Sequence, residues 1–159
     1  MKQHTIDFLY LDLNTCARCV ATDGTLRQAL DILSGVLDTL DRQILVNAVH
    51  ISSRELAEQY RFVSSPTIRV DGVDICSDLV ENECADCGAL CGDSVDCRVF
   101  VYNGVEYEQP PVPMLVEGIL KALYGQPPDD SQAYALPENL KAFFEGNSGC
   151  CDEGCCDQV

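Results

Sequence analysis

The stretch "LDLNTCARCVATDG", residues 11–24, decides the fold, because it joins a strand-like pattern to a helix-like pattern through a CxxC pair. Before it, "HTIDFLYLDL" at residues 4–13 alternates apolar and polar side chains, as a β-strand does. After it, apolar residues recur at spacings of three and four from Leu26 to Leu40, which predicts an amphipathic helix facing a core. Cys16 and Cys19 are therefore predicted to lie between a strand and the start of a helix.

The segments that follow extend this pattern into a βαβ unit. "ILVNAVHIS", residues 44–52, is rich in β-branched apolar residues and predicts a buried strand parallel to the first. "SSRELAEQYRF", residues 52–62, predicts a short helix capped by Ser52 or Ser53. The remaining elements are predicted as strands at Thr67–Val70 and Val73–Cys76 around an Asp71-Gly72 turn, a hairpin around Asn103-Gly104, and a helix within residues 112–125.

Composition divides the chain into one domain, residues 1–125, and an appendage, residues 126–159. Residues 77–97 are acidic and cysteine-rich, and we expect them to form an insertion rather than a core element. The appendage starts as a Pro- and Asp-rich linker and contains a predicted short helix at Pro137–Glu145. Residues 150–159 have no apolar periodicity, so we expect a flexible tail that is disordered without a ligand.

The charge balance excludes two classes of partner. The chain has 26 acidic residues against 10 basic ones, a formal net charge of -16, which repels both nucleic acid and anionic membrane surfaces. The sequence has neither an apolar run long enough to span a membrane nor a secretory leader pattern, so we expect a cytoplasmic protein. Eleven cysteines in a reducing compartment indicate catalysis or metal binding rather than a disulfide scaffold.

A CxxC pair that opens a helix has a physical rationale as a reactive dithiol. The helix N-terminus carries a partial positive charge that stabilises a thiolate, and Arg18 adds a full positive charge nearby. Cys16 is therefore predicted as the nucleophile and Cys19, one turn later, as the resolving thiol. Two other interpretations of the pair stay open, namely ligation of a metal or metalloid and an inert structural role.

A second motif lies about 50 residues further on, where Pro66 begins the predicted strand of "SPTIRVDG". The combination of "CARC" after the first strand with this proline-led strand resembles the thioredoxin and glutaredoxin superfamily. The resemblance implies a thioredoxin-like α/β fold, with a mixed central sheet flanked by helices. It implies that Cys16, Cys19 and Pro66 form the catalytic site, that Pro66 follows a cis peptide bond, and that the backbone of Ser65 binds an extended substrate.

The match looks closest to a thioredoxin-like family, a domain of unknown function, with a cysteine-containing insertion before a hairpin like "CRVFVYNGVEYEQPP". No settled activity comes with that family, so the resemblance supplies no substrate. The chain also departs from the superfamily. Thr15 replaces the usual aromatic residue, and Ala17-Arg18 differs from the Gly-Pro of thioredoxin and the Pro-Tyr of glutaredoxin. These positions tune redox potential, which therefore stays open.

Two further cysteine groups are candidate metal ligands. Cys84, Cys87, Cys91 and Cys97 lie close enough in sequence to hold a tetrahedral zinc ion, while disulfides, a relay to the CxxC, or thiols with only a packing role are the alternatives. Cys76 is read first as a buried small hydrophobe. The tail carries two vicinal pairs suited to a soft ion or to electron shuttling, unless it has no role: Cys150, Cys151, Cys155 and Cys156.

The sequence therefore predicts a thiol-disulfide oxidoreductase that acts on protein disulfides and is reduced again by a thiol reductant system. The alternative is a protein that binds or delivers a thiophilic metal or metalloid such as arsenite, mercury, copper or zinc. A third interpretation is a non-catalytic interaction domain. No cofactor is predicted firmly, and zinc or another soft metal ion is the candidate. His4 and His50 have no motif partner, so we expect packed or surface histidines.

Overall fold

A computed structural model describes residues 1–11, 16–76, 80–83, 96–125 and 133–152 of the chain. Strands and helices mix in these residues, which confirms the α/β class. The elements, in chain order, are β1 Lys2–Tyr10, α1 Ala17–Thr39, β2 Arg42–His50, α2 Arg54–Gln59, β3 Thr67–Val70, β4 Val73–Asp74, β5 Val80–Glu83, β6 Asp96–Tyr102, β7 Val105–Tyr107, α3 Val112–Tyr124 and α4 Glu138–Asp152.

The first four strands form one mixed sheet in the order β2-β1-β3-β4. β1 and β2 run parallel, in register from Lys2 opposite Arg42 to Tyr10 opposite His50. β3 is antiparallel both to β1 and to β4. Because β1 lies between β2 and β3, both of its edges are paired, and its side chains alternate between the two faces of the sheet.

Two apolar clusters cover the two faces of β1. Ile6 and Phe8 belong to a cluster completed by α1, β3 and α3. Leu9 and Leu11 belong to a second cluster, which includes Ala57 of α2 and residues of α4. The alternation of one strand thus places helices on opposite faces, and the CxxC pair lies in the second cluster.

The last three strands form a second, antiparallel sheet in the order β5-β6-β7. The predicted hairpin at Asn103 and Gly104 is confirmed, and both residues adopt the positive φ angles that a tight hairpin turn requires. Within residues 77–97, predicted as an insertion rather than a core element, the described residues 80–83 and 96–97 belong to strands of this sheet. β5 pairs with β6, and Cys97 at the start of β6 is fully buried.

Strand β2 is parallel to β1 as predicted, but the expectation that it is buried is wrong. It lies at the edge of the sheet, and Leu45 and Val46 keep 44% and 46% of their surface exposed. The apolar run indicates a strand, whereas its burial depends on the strand order. Among the described residues, no helix has the length and apolar character needed to cross a membrane.

The helix of the appendage differs from its predicted extent. It was expected at Pro137–Glu145, whereas α4 spans Glu138–Asp152. The last turn of α4 therefore includes Cys150 and Cys151, at the start of the predicted flexible tail. The other predicted tail ligands, Cys155 and Cys156, lie outside the described residues, as do Cys84, Cys87, Cys91 and Thr15.

Candidate dithiol site

The CxxC pair lies at the start of α1, as the sequence predicts. Cys16 is the N-cap residue, with an extended backbone at φ -77 and ψ 106, and its carbonyl accepts the first helical hydrogen bond from the N–H of Val20 at 3.1 Å. Cys19 follows one turn later. Both side chains are fully buried, with 0% exposure. The thiols therefore occupy the electropositive end of a helix but are closed off from solvent in this structure.

Ser65 brings the proline-led strand beside this pair. The Oγ atom of Ser65 lies 3.4 Å from the Sγ atom of Cys19 and accepts a hydrogen bond from the N–H of Leu11 at 3.1 Å. The antiparallel pairing of β1 and β3 explains the contact, because the end of β1 meets the start of β3. The Ser65-Pro66 peptide bond is cis. Residues far apart in sequence are thus brought together at the end of the central strand.

The hydroxyl of Ser65 can both accept and donate a hydrogen bond at this site. A backbone N–H is only a donor, so the bond from Leu11 uses the hydroxyl oxygen as an acceptor. The hydroxyl proton is then available for the sulfur of Cys19. A hydroxyl that donates to sulfur stabilises the thiolate form, which is the leaving group and the nucleophile of thiol exchange.

Arg18, between the two cysteines, is engaged with the second sheet. Its Nη2 atom forms an ion pair with Glu108 at 3.1 Å, and its Nη1 atom donates to the carbonyl of Cys97 at 3.4 Å. Its side chain is 10% exposed. The sequence predicts a positive charge near the thiols, and this guanidinium also attaches the β6–β7 hairpin to the start of α1.

Arg98 is the residue that the sequence analysis did not single out. It is 1% exposed, and its Nη1 atom forms an ion pair with Asp74 at 2.7 Å and donates to the Oγ1 atom of Thr67 at 3.2 Å. Its Nη2 atom donates to the carbonyl of Cys76. One arginine therefore links the second sheet to β3 and β4. The signal was a charged residue inside the apolar run "CRVFVY".

The C-terminal segment, residues 133–145, packs over the same site. The hydroxyl of Tyr134 donates to the carbonyl of Phe62 at 2.8 Å. The side chain of Asn139 forms two hydrogen bonds with the backbone of Asp96, at 2.9 Å and 2.7 Å. Its apolar side chains share one buried cluster with both cysteines of the CxxC: Leu136, Leu140, Phe143 and Phe144.

Cys97 and Cys76, whose side chains the structure also describes, are buried in different surroundings. Cys97 belongs to the same cluster as Cys16 and Cys19. Cys76 lies outside it, and burial raises the pKa of the Cys76 thiol to about 12 despite the nearby charge of Arg98. Within the described ranges, no three His, Cys, Asp or Glu side chains are grouped as a metal site requires. The predicted zinc ligands other than Cys97 fall outside those ranges or have no described side chain.

The two histidines are held by neighbouring groups. The Nε2 atom of His4 lies 2.8 Å from a guanidinium nitrogen of Arg42, which can only donate, so this atom accepts and the proton is on Nδ1. The Nδ1–H group then donates to Asp71 at 2.6 Å. His50 stacks on Tyr10 with a ring separation of 5.4 Å. His4 is buried, whereas His50 is exposed and its Nε2 atom lies 2.8 Å from the carbonyl oxygen of Leu11.

A family model described as "Domain of unknown function (DUF2703)" matches residues 5–119 of the chain. This span includes residues 5–10 of β1, the CxxC pair, Ser65, Pro66 and the whole second sheet, and it ends within α3. Neither a curated protein nor a solved structure matches the sequence.

Proposed function

The chain belongs to the DUF2703 family, whose description assigns no activity, and we propose from the site itself that it is a thiol-disulfide oxidoreductase of thioredoxin-like fold. The observation that carries the proposal is the meeting of the CxxC pair with Ser65. A dithiol at the start of a helix, with a hydroxyl 3.4 Å from the second sulfur, has the parts that thiol exchange requires.

The topology supports the proposed fold. The order β2-β1-β3-β4, with β1 and β2 parallel and β3 antiparallel, is the arrangement that a thioredoxin-like protein needs. Helices α1 and α3 lie on one face of the sheet and α2 on the other. Pro66 precedes β3, and the contact of Ser65 with Cys19 puts the start of this strand beside the dithiol.

In the proposed reaction the Cys16 thiolate attacks one sulfur of a substrate disulfide. This step forms a mixed disulfide and releases one substrate thiolate. The Cys19 thiolate then attacks the sulfur of Cys16, which closes the Cys16–Cys19 disulfide and releases the second substrate thiolate. The two cysteines supply the two electrons and the two protons that the substrate gains. A thiol reductant restores the dithiol, in a reducing compartment such as the cytoplasm.

Access to the thiols is part of the proposal, because both cysteines are fully buried. Reactive cysteines need at least transient exposure. The C-terminal segment shares their cluster and is held by side-chain hydrogen bonds from Tyr134 and Asn139. We infer that substrate enters when this segment lifts from the site, through local opening rather than global unfolding.

A disulfide-reduction assay tests the proposed function. The substrate is 2-hydroxyethyl disulfide, and dithiothreitol regenerates the enzyme. We expect Cys16→Ser to lower the rate by about 100-fold, because the nucleophile is lost. Cys76→Ser is the matched control, since it also replaces a buried cysteine, and it should keep the wild-type rate. Equal rates for Cys16→Ser and the wild type would refute the oxidoreductase.

The second candidate function is binding or delivery of a thiophilic ion such as arsenite, mercury, copper or zinc. It is favoured by α4, which begins on the cluster of the CxxC and carries Cys150 and Cys151 in its last turn. At a helical rise of about 1.5 Å per residue, the backbone of Cys150 lies roughly 9 Å beyond Phe144. The backbone that carries these two cysteines therefore belongs to a helix whose first turns are anchored in the cluster of the dithiol.

Native mass spectrometry tests this candidate on anaerobically purified protein. The full chain and a variant truncated after residue 149 are each titrated with arsenite and with mercury. We expect the truncated variant to bind either ion more weakly. The ion-binding function fails if the full chain carries no metal and truncation leaves both affinities unchanged.

A further inference from the structure

We propose that Cys97 is a third exchange thiol of this site, which attacks Cys16 and forms a Cys16–Cys97 disulfide within the chain. The inference rests on the proposed function, because it needs Cys16 to be the nucleophile. Cys97 is fully buried and shares one apolar cluster with Cys16 and Cys19. Its side chain therefore lies in the compartment of the dithiol, although its residue comes from a different sheet.

The peptide unit between Cys97 and Arg98 is held at both of its polar ends. Its carbonyl oxygen accepts a hydrogen bond from Arg18, which lies between the two cysteines of the CxxC. Its N–H group donates to the carbonyl of Ser65 at 2.7 Å. Ser65 is also the residue whose hydroxyl touches Cys19. This peptide unit is thus hydrogen-bonded both to the CxxC motif and to the residue before Pro66.

Strand β6 therefore occupies the position that the proposed function gives to a substrate. The backbone of Ser65 is expected to bind an extended peptide, and here its carbonyl is bound by an extended strand of the same chain. A cysteine carried by that strand is presented to the dithiol as a substrate cysteine would be. Cys76 gives the contrast, since it is buried as well but lies outside the cluster.

The exchange needs no external oxidant once the pair is oxidised. The Cys97 thiolate attacks the Cys16 sulfur of the Cys16–Cys19 disulfide, the new bond forms between Cys97 and Cys16, and Cys19 leaves as a thiolate. The proton lost by Cys97 ends on Cys19, and the number of disulfides is unchanged. An oxidising equivalent taken up at the CxxC is thereby passed to the second sheet.

Disulfide mapping in the full chain tests the inference. A Cys19→Ser variant is reduced, treated with one equivalent of 2-hydroxyethyl disulfide, quenched in acid and alkylated. Trypsin cleaves after Arg18 and Arg98 and Asp-N protease cleaves before Asp96, so the sequence places Cys16, residue 19 and Cys97 on three peptides. Cys16 takes up one hydroxyethyl thiol, and the Cys97 thiolate then displaces it as a second hydroxyethyl thiolate.

We expect the peptide that links Cys16 to Cys97 to exceed any link from Cys16 to Cys76 by at least about tenfold. The link should persist in Cys19→Ser/Cys76→Ser. It should vanish in Cys19→Ser/Cys97→Ser, where Cys16 keeps its adduct. If Cys16 keeps the adduct in Cys19→Ser while Cys97 is alkylated, or if Cys16 pairs with another cysteine, the inference is overturned and the proposed function stands. If Cys16 takes up no thiol at all, both fail.

A measurement on the wild-type chain covers the case that Cys19→Ser does not fold. The wild type is oxidised with the same disulfide and mapped in the same way. We expect a fraction in which Cys16 is linked to Cys97 while Cys19 carries the alkyl group. Detection of the Cys16–Cys19 disulfide without any of this fraction overturns the inference and leaves the oxidoreductase intact.

Discussion

The backbone N–H of Arg98 donates a hydrogen bond to the carbonyl of Ser65 at 2.7 Å, so the second sheet is joined directly to the residue that precedes Pro66. The same two residues also act through their side chains. Ser65 touches the sulfur of Cys19, and Arg98 forms an ion pair with Asp74. The contact between Ser65 and Arg98 therefore both attaches the second sheet and lies beside the dithiol.

Removal of the Ser65 hydroxyl is expected to lower the stability of the protein and to slow resolution, which is the attack of Cys19 on the mixed disulfide at Cys16. Ser65→Ala leaves the buried N–H of Leu11 without its acceptor, which costs about 1–3 kcal/mol in the free energy of unfolding. It also removes the hydroxyl that can donate to the Cys19 thiolate, so the mixed disulfide on Cys16 should persist longer. Rapid-quench trapping of that intermediate measures the change. Ser65→Thr keeps the hydroxyl and should restore resolution, whereas equal lifetimes in Ser65→Ala and the wild type would refute this positioning role.

Loosening the C-terminal segment is expected to expose the thiols. Leu140 is fully buried, and Leu140→Ala should weaken docking by at least about 2 kcal/mol, which corresponds to about 30-fold faster alkylation of Cys16 by iodoacetamide. Peptide mapping at timed intervals gives the rate. Lys141→Ala, on the next position of the helix, is the control and should change little. Faster labelling of Cys76 in the same sample would reveal global unfolding instead, and an unchanged Cys16 rate would contradict the covering role.

Replacement of Arg98 by lysine is expected to destabilise the protein. One ammonium group cannot reproduce the bonds of Arg98 to Asp74, Thr67 and the carbonyl of Cys76. We expect Arg98→Lys to lower the free energy of unfolding by about 2–3 kcal/mol, since one partner of a largely buried ion pair is impaired. Urea denaturation measures this value. Arg54→Lys changes an exposed pair within α2 and should stay within about 0.5 kcal/mol of the wild type.

The pair between His4 and Asp71 predicts a loss of stability in acid. Partial burial alone raises the pKa of Asp71, but the hydrogen bonds from the His4 ring and the Thr5 N–H outweigh it and hold the pKa below the usual 3.8. A lowered pKa contributes stability that is present above pH 3.8 and is lost as the pH falls through the folded value. Asp71→Asn should therefore be less stable than the wild type at pH 7. Urea titrations from pH 7 to pH 3 should show this difference shrinking, and a constant difference would contradict the prediction.

Cys76 should behave as an inert thiol. With the pKa raised to about 12 by burial, only about one Cys76 in ten thousand is a thiolate at pH 8. We expect native protein to leave Cys76 unlabelled by iodoacetamide at that pH, while guanidinium-unfolded protein is labelled within minutes. Labelling of Cys76 in folded protein at the unfolded rate would show that the residue is not buried in solution.

Local sequence patterns predicted most of the elements, with β5 as an exception, but they did not predict which elements pack against one another. The apolar spacing of α3 and the Asn103-Gly104 turn predicted a helix and a hairpin correctly, because both depend on residues close in the chain. The exposure of β2 could not be predicted in this way, since it depends on which strands flank it. The partners of Arg98 come from β3, β4 and the residues after β4, and no local pattern brings them together.

The candidate site was predictable to a similar degree. The position of Cys16 at a helix start and the approach of Ser65 follow from motif order, and the structure has both. The apolar side chains of Leu140 and Phe143 indicated a helix able to dock. That it docks over the dithiol depends on the surface left open between α2 and the second sheet, which the sequence does not display.

Arg18 joins the dithiol motif to Glu108 of the hairpin, and this has a thermodynamic consequence. Coupling between two equilibria is reciprocal. Oxidation of Cys16 and Cys19 changes the free energy of hairpin attachment by some amount. Attachment of the hairpin must therefore change the free energy of oxidation of the pair by the same amount. Salt screens the exposed carboxylate of Glu108 and so weakens the attachment of the hairpin. Through this coupling, salt also shifts the redox equilibrium of Cys16 and Cys19.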